Sequence, residues 1–109
     1  MRVQADHLRL TTRPLRDGTE LRAAGEVDMA SAGELVLRGQ EALHEGGLVL
    51  DLEAVTFMDS SGVRALEALM RTAEETGAPL VIRPRLARNV SQVLELTGLL
   101  HVLPFERAA

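Results

Sequence analysis

A chain of 109 residues is long enough for one domain and too short for two. Apolar residues make up 46% and charged residues 26%, which supplies a core and argues against disorder. The formal net charge is −4, and all twelve basic residues are arginines scattered without a basic stripe, so a grip on phosphate backbones is not expected.

Phe57 and Phe105 are the only aromatic residues of the Phe, Tyr and Trp class, which removes stacking platforms and aromatic cages. Cysteine is absent, so disulfides and thiolate metal sites are excluded, and a reducing cytosol is the expected setting. No apolar run approaches the roughly 20 residues that span a bilayer. Arg2, Asp6, His7 and Arg9 stand among the first ten residues with no apolar segment behind them, so a secretory signal is not expected.

In chain order, residues 3–12 mix apolar and polar positions as a half-exposed strand does, ending near Arg13-Pro14. Asp17-Gly18 then turns the chain into residues 20–27, where Leu21, Ala23, Gly25 and Val27 alternate with Arg22, Ala24 and Glu26. The two segments predict an antiparallel hairpin. Ala32, Leu35, Val36 and Leu43 follow at helical spacing, with Asp28 or Ser31 placed to accept the first free amides. Gly46-Gly47 closes that helix.

Leu48-Val49-Leu50-Asp51-Leu52 is the nearly continuous apolar run of a strand covered on both faces. Residues 53–57 then serve as a link to Met58-Asp59-Ser60-Ser61-Gly62. Val63, Leu66, Leu69, Met70 and Ala73 predict an amphipathic helix ended by Gly77 and Pro79. Leu80-Val81-Ile82 is a short buried strand. Leu86, Val90, Val93 and Leu94 predict a third helix that stops near Gly98, and residues 99–103 a last strand closed by Pro104. Strands separated by helices imply parallel pairing, to which the opening hairpin adds an antiparallel part. The expected fold is a single α/β domain over residues 1–109, a mixed, mostly parallel sheet with helices packed against it.

Most catalytic constellations fail on inspection. His7, His44 and His101 are far apart and pair with no carboxylate at ligand spacing, so no metal site is expected. Gly46-Gly47 precedes a strand instead of following one, and without any lysine a P-loop cannot be built. The strand-to-helix turn at Asp59-Ser60-Ser61-Gly62 lacks the glycine two before the nucleophile of a hydrolase elbow, and only His101 lies downstream as a base. The chain is expected not to be an enzyme and to need no cofactor.

That turn still concentrates free backbone amides and the positive end of a helix dipole where sites collect in α/β sheets. Two roles remain open for its residues. Asp59 or Ser60 can cap the helix and do nothing more, or a hydroxyl can accept a phosphoryl group and add about −1.5 to −2 of charge to the surface.

Gly25-Glu26-Val27-Asp28, Leu48-Val49-Leu50-Asp51-Leu52, Val55-Thr56-Phe57-Met58-Asp59-Ser60-Ser61-Gly62-Val63 and Leu94-Glu95-Leu96-Thr97-Gly98-Leu99 resemble the successive signatures of the STAS family, and more narrowly of bacterial anti-sigma factor antagonists. The resemblance runs in order over about residues 8–105. It implies a cytoplasmic binding protein that engages an anti-sigma factor serine kinase of the histidine-kinase-like ATPase fold and frees a sigma factor.

It also implies that the kinase phosphorylates the second serine of the pair, Ser61 (Ser60 being the alternative), and that a serine phosphatase restores the hydroxyl. The implied docking residues are Glu26, Asp28, Asp59, Ser60, Ser61, Gly62, Val63 and Arg64, with neither nucleic acid nor membrane as a direct partner. Asp28 has the equal alternative of capping the first helix.

Two features depart from the family. Val63-Arg64 stands where many relatives have Leu-Gly, and only residues 106–109 remain for the helix that often ends such domains. The family also contains unphosphorylated scaffold domains attached to anion carriers or lipid-export machinery, which commonly lack the serine pair. Direct nucleotide binding is a third possibility, for which no purine pocket is visible.

Overall fold

The computed structural model describes residues 2–5 and 7–107. Five strands form one sheet whose spatial order follows the chain: β1 (Arg2–Ala5), β2 (Leu8–Leu15), β3 (Gly18–Val27), β4 (Leu48–Met58) and β5 (Leu80–Ile82). β1–β2 and β2–β3 pair antiparallel, β3–β4 and β4–β5 parallel. Helix α1 (Ala32–His44) connects β3 to β4, α2 (Ser60–Thr76) connects β4 to β5, and α3 (Arg88–Leu96) leads into a short 3-10 turn at Leu99–His101. This is the mixed α/β sheet with an antiparallel start that the element order implies.

The predicted first strand is two. β1 and β2 pair with Ala5 opposite Leu8, and His7 lies in a turn before β2; Asp6 lies outside the described residues. The predicted hairpin is β2–β3, with Leu15 opposite Gly18. Gly25 is held in a left-handed conformation (φ 116°), and a Cβ there would lie 2.0 Å from the His7 carbonyl oxygen, which accepts the Glu26 amide at 3.0 Å. Only glycine allows that approach.

Alternation along the strands sorts the side chains into two faces. Leu8, Leu10, Leu21, Ala23, Leu50, Leu52 and Ile82 are almost wholly buried, and they share one hydrophobic cluster with Leu35 and Leu43 of α1, Leu66 and Leu69 of α2, and Val90 and Leu94 of α3. Arg22, Asp51 and Arg83 occupy the opposite face, and among the described residues α1, α2 and α3 all pack into the cluster on the first face. Helices therefore cover β4 on one side only; on the other, Asp51, between Leu50 and Leu52, is still buried at 6% exposure and sits 3.4 Å from the Arg22 guanidinium, against the expectation of an apolar cover on both faces. An ion pair with the neighbouring strand takes the place of a second apolar layer.

β4 also runs six residues beyond Leu52. Relative to β3 it gains one residue between Asp51 and Ala54 and another between Val55 and Phe57, so the expected link at residues 53–57 is bulged strand. The bulges break the alternation that would have revealed it. The expected last strand at residues 99–103 is instead the 3-10 turn, because Val102 and Leu103 return their amides to the Leu99 carbonyl at 3.0 and 3.1 Å. The chain meets the sheet two residues later, where Phe105 bridges Ile82. Among the described residues no helix follows His101.

Candidate functional site at the carboxyl edge of the parallel strands

β3 and β4 end side by side, with Glu26 opposite Phe57 and Val27 opposite Met58. The β3–α1 turn and the first turn of α2 leave the sheet there together, joined by the Asp59 amide donating to the Val27 carbonyl at 3.3 Å. The start of α3 reaches the same edge, where Asn89 Nδ2 donates to the Thr56 carbonyl at 2.6 Å.

The cap of α2 is Asp59. Its backbone is extended (φ −111°, ψ −165°) and its Oδ1 accepts the Ser61 amide at 2.8 Å, while its carbonyl accepts Gly62 N–H at 3.0 Å. The open choice between Asp59 and Ser60 as cap is thus resolved, with a consequence for the serines. Among the described residues neither the Ser60 nor the Ser61 hydroxyl makes a hydrogen bond, and neither meets a histidine. Ser60 is exposed and Ser61 half-buried.

Gly62 and Val63 have a different position from their neighbours. Both are buried, Val63 at 8% exposure, and a Cβ on Gly62 would lie 2.3 Å from Met58 Cγ. They press the helix onto the end of β4 and lie beneath the surface that the serines occupy. Arg64 is exposed and, among the described residues, has no ion-pair partner.

On the neighbouring turn, Asp28 Oδ1 accepts the amides of Ala30 and Ser31 at 3.0 and 3.1 Å. Ser31, fully buried, accepts the Asp28 amide at 3.0 Å, and its one proton is shared between the Glu26 carbonyl at 2.8 Å and Asp28 Oδ1 at 3.1 Å. Ser31 occupies the N-cap position of α1, yet its hydroxyl points back into the turn and caps no helical amide. The Asp28 carboxylate is spent on turn geometry. Glu26 is half-buried, and no side-chain partner holds it among the described residues.

Two apolar side chains at this edge were not singled out from the sequence as site residues. Met29 is 86% exposed and Phe57 43%. Their signal was weak: Phe57 stands in a motif otherwise read for its serines, and Met29 follows a capping candidate in a turn. Only the pairing of Glu26 with Phe57 reveals that they flank one site. Acidic and hydroxyl groups share this edge with two exposed apolar side chains, which suits it to docking on another macromolecule. Among the described residues no three His, Asp or Glu side chains come together as metal ligands.

The family model described as "Mlab, STAS domain" matches residues 10–104. An anti-sigma factor antagonist from Mycobacterium paratuberculosis is similar in structure, with a TM-score of 0.76 and 23% identity over 97% of this chain and 92% of that one. The anti-sigma factor antagonist SpoIIAA in its unphosphorylated form gives 0.73 and 22% over 92% and 88%. The Bacillus cell fate determinant SpoIIAA in its phosphorylated form gives 0.66 and 21% over 92% and 91%. At these identities the likeness speaks for the fold.

Proposed function

The chain belongs to the STAS domain family, and on that premise we propose that it is an anti-sigma factor antagonist switched by phosphorylation of Ser61. It docks through the edge around Glu26, Asp28, Asp59, Ser60, Ser61 and Arg64 on an anti-sigma factor that is also a serine kinase of the histidine-kinase-like ATPase fold. A sigma factor is released by that contact. The setting is the cytoplasm. No helix of the described residues is long and apolar enough to cross a membrane.

The observation that carries this reading is the capping arrangement. Asp59 Oδ1 holds the Ser61 amide at 2.8 Å, which leaves the half-buried Ser61 hydroxyl without a hydrogen bond among the described residues. The helix keeps its cap whether or not that oxygen is modified. The kinase transfers the γ-phosphoryl group of ATP to Ser61 Oγ, the hydroxyl proton leaves, and ADP departs. A serine phosphatase then hydrolyses the ester with water. The chain itself supplies no catalytic group; it acts by binding.

Release follows from charge. A phosphoryl group adds about −1.5 to −2 to an edge that already carries Glu26, Asp28 and Asp59. In a desolvated interface that anion costs on the order of several kcal/mol, and each 1.4 kcal/mol or so is tenfold in affinity. No large conformational change is required.

The test is incubation with the anti-sigma factor kinase of the same organism and ATP, followed by mapping of the modified residue by mass spectrometry. Label is expected on Ser61 and absent from Ser61→Ala. Equal labelling of that variant sinks the assignment and moves it to Ser60. One observation favours a second reading, an unphosphorylated scaffold of a transport system: the matching family model bears the Mlab description and not that of an antagonist. A pull-down that recovers transporter subunits and no sigma regulator decides for the scaffold.

A further inference from the structure

Arg64 is an oddity in its position. A cation in the first turns of a helix opposes the macrodipole, and no carboxylate among the described residues forms an ion pair with it. It lies three residues after Ser61 on α2, so the two side chains share a face with about 5–6 Å between Cβ atoms. The hydroxyl beside it has no hydrogen-bond partner among the described residues, and both side chains reach solvent. An anion on Ser61 Oγ would meet the guanidinium without any change of backbone.

We propose that Arg64 is the internal counter-charge of the modified protein. The phosphate of phospho-Ser61 pairs with its guanidinium across one helical turn, so phosphorylation removes a cation from the docking edge as well as adding an anion to it. Guanidinium suits the task, because its planar fork matches phosphate oxygens in a bidentate contact. The other charged groups at this edge are Asp59 on the cap, Glu26 and Asp28 on the β3–α1 turn, Glu67 one turn further along α2, and Arg88 at the start of α3. They set the absolute titration of the phosphate and cancel when variants at position 64 are compared.

The inference rests on Ser61 as the modified residue, and the test is chosen to fail independently of it. Phosphoserine is placed at position 61 by genetic encoding in the full chain, and its second ionisation is followed by phosphorus NMR in wild type, Arg64→Gln and Arg64→Lys. Arg64→Gln is expected to raise the phosphate pKa by roughly half a unit, Arg64→Lys to raise it by less, and ~0.5 M salt to shrink the difference. The Arg64 side-chain N–H signals are expected to move on modification in wild type. Titration curves for wild type and Arg64→Gln that coincide within roughly 0.1 unit overturn the proposal. If a kinase ignores Ser61 while the titration behaves as expected, the proposed function falls and the pairing stands. If Ser61 is labelled and the titration is flat, only the pairing falls.

Discussion

The open face of the sheet and the carboxyl edge of its parallel strands are both polar, and they are built in opposite ways. On the open face, each carboxylate has an arginine. Glu20 accepts from Arg13 at 3.1 Å and Arg83 at 2.8 Å, Arg83 also binds Glu106 at 2.9 Å, and Asp51 and Glu53 lie 3.4 and 3.6 Å from Arg22 and Arg85. At the carboxyl edge, Asp28 and Asp59 spend their carboxylates on backbone amides, while the side chains of Glu26, Ser60, Ser61 and Arg64 have no hydrogen-bond or ion-pair partner among the described residues and Met29 and Phe57 stand out to solvent. Charge that is already matched offers little to a second protein. Groups left unmatched on a firmly held turn can give their interaction energy to a partner.

The comparison breaks first at glycine, because the edge has structural duties too. Gly25→Ala, which drives a Cβ into the His7 carbonyl at a left-handed backbone position, is expected to destabilise the fold by about 3 kcal/mol or more in urea unfolding. Tolerance of alanine there would mean that the β2–β3 ladder moves easily and that the edge is not rigid.

Next in size is Ser61→Glu. We expect at least a ~10-fold loss of affinity for the anti-sigma factor kinase in calorimetry, with stability changed by less than ~0.5 kcal/mol because the Asp59 cap is untouched. A matching loss of stability would show Ser61 to be structural, erasing the contrast between the two regions.

On the open face, Glu20→Gln is expected to cost about 1 kcal/mol at neutral pH. Hydrogen bonds from Arg13 and then Arg83 hold the Glu20 carboxyl below the usual carboxylate range, and its partner Arg83 is raised, chiefly by Glu20. A lowered folded pKa means that the stabilisation is present above the unfolded value of about 4.3 and is lost as pH falls through the folded value. The gap between wild type and Glu20→Gln should therefore be constant from pH 8 to about 5 and close below about 4. A gap that persists in acid would assign the effect to packing.

Last comes Phe57→Ala, whose stability cost is expected to stay within about 1 kcal/mol, since the ring is 43% exposed. Its weight should appear in affinity for the kinase, as that of a buried aromatic anchor in an interface does. Normal binding by Phe57→Ala would confine the docking surface to the serine turn.

Much of this was legible in the chain itself. The spacing of Leu66, Leu69 and Ala73 with Gly77 behind them marks α2, and Leu35 with Leu43 marks α1, because a 3.6-residue period leaves one apolar stripe wherever a helix packs on a sheet. Asp59-Ser60-Ser61 was legible for a related reason: capping is settled within three residues and needs no distant partner. The separation of β1 from β2, the bulged half of β4 and the turn at Leu99–His101 were not, since each depends on what a backbone amide finds across space.

The sequence alone determined that a helix starts beside a pair of hydroxyls at the end of a buried strand, because local periodicity and capping chemistry suffice for that. Tertiary pairing alone decided that Gly62 and Val63 go under the surface and that Glu26 and Phe57 meet across two strands. Register between strands is a long-range choice, and with two bulges in β4 no alternation along the chain could have announced it.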